Sequence, residues 1–176
     1  MKLWKGWHNF MTDSRVVIGI DPGTAITGYG LIKEAKNGDL IWLAHGVITT
    51  ASDWDEPNRL LHLYRSLLDI IEDTKPDCCA VEKLFFQKNV KTAINVGQGR
   101  GAALIAIAEA GLTIGEYTPL AIKQAVVGYG KADKNQVQQM VKLLLNLKDI
   151  PQPDDAADAL AVAICHLHST RGFFRP

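Results

Sequence analysis

The chain has 176 residues, enough for one domain with a substantial core, and its composition is that of an ordinary soluble globular protein. Nineteen basic side chains balance nineteen acidic ones, so nothing global marks it for nucleic acid or an anionic membrane. No apolar run is long enough to span a bilayer or to serve as a signal-peptide core.

The charge is unevenly distributed. Residues 1–82 carry 8 Lys and Arg against 12 Asp and Glu, residues 83–142 carry 8 against 3, and residues 143–176 carry 3 against 4. A locally basic middle third beside acids from the two ends suits a basic face next to an acidic pocket. The three cysteines show no CxxC spacing, so neither a zinc site nor a disulfide framework is indicated, which fits a reducing cytosol. His166 and His168 are two apart, point to different faces of a helix, and read as structural or exposed.

In chain order, residues 1–14 read as a flexible amino-terminal extension. Leu3, Trp4, Trp7, Phe10 and Met11 share one helical face, so a partner-binding amphipathic helix is the alternative. The domain is expected over 15–170, with a tail at 171–176. Residues 16–20 form an apolar run without alternation, the mark of a strand buried on both faces. It stops at Asp21, Pro22-Gly23 turns the chain, and residues 28–32 return as the hairpin partner. Leu40 to Thr49 follow the Asn37-Gly38 turn as a third strand. Pro57 suits the first turn of a helix to Thr74 whose apolar stripe is Leu60, Leu61, Tyr64, Leu67, Leu68 and Ile71.

The fourth strand is CCAVE, residues 78–82, and it too ends on an acid, Glu82. A polar-aromatic loop, KLFFQKN, leads into a helix from Val90 to Ala110. Gly97, Gly99 and Gly101 within it each cost about 1 kcal/mol relative to Ala, which predicts close approach of another backbone. Thr113 to Tyr117 is the fifth strand, Pro119 to Val127 a short helix, Asn135 to Leu147 another, and Asp154 to His168 the last. Three strands in hairpin order, then helix–strand–helix–strand, then helices, predict a mixed five-stranded α/β sheet with helices on both faces. If the first and fourth strands are adjacent and parallel, their carboxyl ends meet where such folds place ligands, and Asp21 falls beside Glu82.

An acid at the end of a buried strand costs several kcal/mol unless something compensates it, either a cation or a local turn that uses the carboxylate as an acceptor. Asp155 and Asp158, three apart, project from one side of the last helix's first turn. Capping is the competing explanation for that pair, since acids favour a helix N-terminus. Against it, three segments distant in sequence each offer a carboxylate to one possible crevice. Four converging carboxylates repel, and oxygen-only ligation without Cys or paired His suits a hard cation, best Mg²⁺. Two such ions fit metal-dependent phosphodiester hydrolysis with water as nucleophile.

GIDPGTAITGYGLI, VEKLFFQKN, KQAVVGYGKADKNQV and PDDAADALAVAICH together resemble the RuvC family of Holliday junction resolvases, in order and spacing over residues 16–168. The resemblance implies an RNase H-like fold, a homodimer with two active sites, and nicking of four-way DNA junctions with Mg²⁺, two ions per site, or Mn²⁺ in its place. It also implies cooperation with the RuvA–RuvB branch-migration complex in recombinational DNA repair, in the cytoplasm and with no membrane association. By position, Asp21, Glu82, Asp155 and Asp158 match the family's metal-binding acids, and Lys123 and Lys134 its two functional lysines. Phe85 matches the aromatic that stacks on junction bases, with Phe86 beside it as either a core residue or the exposed partner. Lys88, Lys91 and Arg100 lie in the basic third and are candidate DNA-backbone contacts.

Two features depart from the resemblance. Asp154 directly precedes Asp155, a third acid where the pattern needs two, and is expected either to cap the helix or to join the metal. The amino-terminal extension has no counterpart. Competing readings are another RNase H-like nuclease acting on RNA hybrids or ribosomal RNA precursors, and a junction-binding module without catalysis. A sugar-kinase or actin-like ATPase is set aside because one short chain lacks the two domains that close over ATP.

Overall fold

The central strand β1 (Arg15–Asp21) has apolar side chains on both faces, and the fold provides a separate apolar layer for each. The computed structural model describes residues 14–83 and 90–170. Expectations for residues 1–13, for 171–176 and for the loop at 84–89 lie outside the described residues.

After the turn at Pro22-Gly23, β2 (Ile26–Glu34) runs back along β1, with Gly19 opposite Gly30 and Asp21 opposite Gly28. β3 (Leu40–Thr49) continues the antiparallel meander, with a register shift at Leu31/Ile32. The chain then leaves the sheet through α1 (Glu56–Thr74). The Asp55 side chain caps this helix by accepting from Asn58 N–H at 2.9 Å, and Pro57 occupies its first turn. β4 (Cys78–Glu82) enters on the other side of β1 and parallel to it. α2 (Val90–Glu109) crosses to β5 (Thr113–Tyr117), parallel to β4, and the sheet order is β3-β2-β1-β4-β5. Three helices complete the chain: α3 (Pro119–Val127), α4 (Lys134–Leu144) and α5 (Asp154–Thr170). The expected mixed five-stranded sheet is the one observed.

Alternation along the strands separates the layers. Ile18, Ile20, Cys79 and Val81 face Leu63, Leu67 and Ile71 of α1 and Ala103, Ala106 and Ile107 of α2. Val17, Cys78 and Ala80 face the opposite layer, where α5 contributes Leu160, Ile164 and Leu167 beneath Ile122 and Val126 of α3 and Val137 and Val141 of α4. Because side chains alternate with period two, Gly19, Asp21 and Glu82 also belong to the α5 face.

α4 differs from expectation at both ends. It begins at Lys134 because Asp133 and Gln136 form a reciprocal capping box, and it stops at Leu144, after which Asn146 takes a left-handed φ of 50°. The glycines of α2 also differ from expectation. A Cβ on Gly99 would stand 2.9 Å from the backbone of Gly23 and Thr24, the predicted close approach, whereas Gly97 and Gly101 face open space. Residues four apart share a helix face and the residue midway between them points the opposite way, so one inward glycine implies two outward ones.

α5 packs main chain against main chain on the sheet. A Cβ on Gly28 would collide with the backbone carbonyl of Asp155, one on Gly19 with the carbonyl of Ala159, and one on Gly30 with Leu160. Ala156, Ala157, Ala159 and Ala163, all essentially buried, keep the helix side of the contact equally small. Gly28→Ala is therefore expected to cost about 1–3 kcal/mol through overpacking against main chain that cannot yield. Urea unfolding of the two proteins measures the difference.

Candidate active site

Parallel pairing of β1 with β4 puts Ile20 opposite Val81, so the next residues along, Asp21 and Glu82, stand side by side at the carboxyl end of the sheet. Both point to the α5 face, and the first turn of α5 brings Asp155 and Asp158 over them. The close packing at Gly28, directly opposite Asp21, sets that distance from the sheet side.

The turn behind Asp21 is held from several directions. Thr27 Oγ1 donates to the Gly23 carbonyl at 2.6 Å and accepts from Gly23 N–H at 3.2 Å. Thr50 Oγ1 donates to the Thr24 carbonyl at 2.7 Å, and the Thr24 hydroxyl donates to the Asn95 carbonyl in the first half of α2. Thr24 and Thr27 are buried, with every one of these bonds made inside the protein. A turn this constrained leaves the Asp21 carboxylate little freedom to swing away from its neighbours.

The electrostatics are those of an incompletely compensated acid cluster. Burial first, then the charges of Glu82, Asp158 and Asp155, push the Asp21 carboxyl up to about 7, against the opposing pull of Lys134. Burial and Asp158 raise Glu82, with Lys123 of α3 opposing. Asp158 is also raised, by burial, although Lys134 Nζ lies 3.1 Å from its Oδ2. Among the described residues no three acidic, His or Cys side chains are already gathered closely enough to enclose an ion. The donor set is nevertheless oxygen-only, short of positive charge, and open at the end of the sheet. Asp21, Glu82, Asp155 and Asp158 are thus available to a divalent cation that would relieve their repulsion.

Asp154 does not cap α5. Its Oδ2 is 3.2 Å from Lys134 Nζ and its Oδ1 accepts from Gln138 Nε2 at 3.0 Å, while the first amide bonds of the helix go to the Pro153 carbonyl. These contacts hold its carboxyl below the usual range, the Lys134 hydrogen bond first and Gln138 next. Gln138 escaped the sequence reading. The signal for it was present: Lys134 and Gln138 are four apart on α4, as Asp154 and Asp158 are on α5, but only the packing of the two helices reveals that the pairs face each other.

Of the other candidates, Lys123 lies on α3 with its charge felt at Glu82. Arg100 is engaged within the protein, 2.6 Å from Glu116 and donating from Nε to the Glu82 carbonyl at 3.5 Å. Phe85, Phe86 and Lys88, and the side chain of Lys91, lie outside the described residues. His166 is buried and structural: Tyr117 Oη is 2.9 Å from its Nδ1, Cys78 Sγ is 3.3 Å from its Nε2, and burial lowers it to about 4.

Comparison with known proteins points one way. The family model described as crossover junction endodeoxyribonuclease RuvC matches residues 17–166. The chain is 57% identical over 152 residues to the crossover junction endodeoxyribonuclease RuvC of Chloroflexus aurantiacus, covering 86% of this chain and 92% of that one. It is 55% identical over 156 residues to the enzyme of the same name from Ruminiclostridium cellulolyticum, covering 89% and 93%. Among solved structures, T. thermophilus RuvC in complex with Holliday junction substrate superposes with a TM-score of 0.85 at 34% identity, covering 91% of this chain and 97% of that one.

The position of Asp21 makes the metal-free protein's stability depend on pH. With its folded value raised from 3.8 to about 7, the folded chain holds a proton that the unfolded chain has released, so stability falls as pH rises through that window. Asp21→Asn is expected to stabilise the metal-free protein at pH 8 by up to ~4 kcal/mol, with the advantage gone near pH 4. Thermal melts of both proteins in EDTA across this range measure it.

Proposed function

The chain belongs to the RuvC family of crossover junction endodeoxyribonucleases, and from that membership and the geometry above we propose how its residues divide the work. It is an endonuclease that resolves Holliday junctions in DNA recombination and repair, on an RNase H-like α/β fold, and it is metal-dependent.

In our reading the metal is Mg²⁺, two ions per active site, with Mn²⁺ able to substitute. Asp21, Glu82, Asp155 and Asp158 hold it. The observation that carries this assignment is the placement of Asp21 beside Glu82 at the end of paired β1 and β4, against the start of α5, where burial and the neighbouring acids raise the Asp21 carboxyl. When bound, the divalent ions supply an activated water and charge stabilisation at the scissile phosphate. The protein residues orient what reacts. Asp21 is fixed by its pinned turn, Glu82 by strand pairing, and Asp155 and Asp158 by the close seating of α5. Lys123 and Lys134 flank the acids, as cations that hold phosphate oxygens of the cleaved strand. Between β4 and the start of α2 the sequence supplies Phe85 and Phe86 for stacking on unpaired junction bases, and Lys88, with Lys91 of α2, for the backbone.

Paired nicks require two sites, and we assign the homodimer to the outer face of α2. There Ile94 and Ile105 are 56% and 61% exposed, and Gly97 and Gly101 between them leave room for a facing backbone. The RuvA–RuvB branch-migration complex is the proposed partner, and the cytoplasm the proposed location. No helix among the described residues is long and apolar enough to cross a membrane.

Three outcomes are expected. With Mg²⁺, a synthetic mobile four-way junction should be nicked in pairs while a flap and an RNA–DNA hybrid are spared. Glu82→Gln should abolish nicking with junction binding retained in a gel-shift assay; full activity in this variant removes Glu82 from the site. Ile105→Asp should convert a dimer into a monomer in sedimentation velocity, and a variant that stays dimeric places the interface elsewhere.

A further inference from the structure

The third acid of α5 has a partner set that differs from its neighbours'. Asp155 and Asp158 face the acid-bearing strand ends, whereas Asp154 spends both carboxylate oxygens on α4: Oδ1 on Gln138 Nε2 at 3.0 Å and Oδ2 on Lys134 Nζ at 3.2 Å. The same ammonium lies 3.1 Å from Asp158 Oδ2. Lys134 and Gln138 form one i, i+4 pair, Asp154 and Asp158 the other, and the two pairs meet across the α4–α5 contact. Gln138 is 8% exposed, so the anchor of this chain is buried, while Lys134 at its far end is half in solvent.

Position matters here because a lysine on a helix terminus has four rotatable bonds and much rotamer freedom to lose. Lys134 is the first residue of α4, and its cap is made by Asp133 and Gln136 without using its side chain. Among the described residues its ion-pair partners are the two aspartates. Asp158 is needed by the acid cluster, and any cation drawn to that cluster competes with Lys134 for the same oxygen. Asp154 has no such second demand on it.

We propose that Asp154, oriented by Gln138, is a positioning residue that sets where Lys134 presents its ammonium. The extra acid then works through the lysine and is not a further metal ligand. This rests on the reading of Lys134 as a lysine of the cleavage site. Asp154 keeps the ammonium beside the scissile phosphate after Asp158 turns to other partners, and Gln138 keeps Asp154 from rotating away.

A double-mutant cycle on the full-length protein separates the possibilities. Asp154→Ala is expected to lower kcat for junction nicking roughly tenfold, within the range for a misplaced catalytic group, with KM for the junction unchanged. In a Lys134→Ala background the same substitution should change kcat by less than about twofold, because the residue it acts through is gone. Gln138→Ala should give a smaller loss of the same kind, also masked by Lys134→Ala. A readout independent of turnover is the Lys134 side-chain ammonium signal by NMR in metal-free protein, expected in the parent and lost on Asp154→Ala with the circular dichroism melt retained. Equal losses from Asp154→Ala in both backgrounds, or a raised metal requirement in the Lys134→Ala background, overturn the inference alone. A fully active Lys134→Ala protein overturns the role of the lysine and the inference with it.

Discussion

The spacing between α5 and the sheet is the constraint on which the remainder depends. Gly19, Gly28 and Gly30 present no Cβ to the helix, and the helix answers with alanines, so main chain lies against main chain. The same approach that closes one core layer brings the start of α5, with Asp155 and Asp158, to the sheet end that carries Asp21 and Glu82. Packing and chemistry share one distance here. A wider spacing that accommodated larger side chains would also separate the four carboxylates. The glycines beside the first acid are therefore part of the fold and, through it, part of the site.

That arrangement sets stability against function. β1 is buried on both faces up to Ile20, and Asp21 is the next residue. Burial and three neighbouring acids act on one carboxyl, and the cation that opposes them, Lys134, divides its charge between Asp154 and Asp158. A sequence selected for stability alone would place a neutral residue there. The protein holds the charged alternative with a turn whose buried polar groups, Thr24 and Thr27, are hydrogen-bonded, and with a helix whose seating is too tight to relax. Strain of this kind is retained where a ligand relieves it.

Much of this was legible in the sequence, for specific physical reasons. A strand without alternation declares burial on both faces, and an acid at its end stands out against that background. Asp21 and Glu82 were found by that contrast, and the pairing of β1 with β4 needed only the order of elements. Asp154 was ambiguous because its role depends on which helix covers the start of α5, and no periodicity within α5 contains that information. The α2 glycines predict close approach of another backbone, and Gly99 makes that approach, while Gly97 and Gly101 face outward, since a two-residue step on a helix reverses the face. Arg100 lies in the basic stretch, and that its guanidinium is engaged with Glu116 and the end of β4 is visible only in the folded chain.

The basic middle third also reads differently once its charges are followed individually. Its eight Lys and Arg against three acids suit a basic face beside an acidic pocket. Two of those cations are now accounted for inside the protein: Arg100 by Glu116, and Lys134 by aspartates that belong to the last third of the chain. A third, Lys123, is felt at Glu82. Part of the local excess is therefore a counter-charge to the acid cluster, distributed on α3 and α4 so that it reaches the crevice from the side opposite β1. An acidic site that must accept a polyanionic substrate has to limit its own negative potential, and cations placed at its rim do so without filling it. Charge neutrality over the whole chain hides this division, because cations and acids far apart in sequence cancel within one crevice.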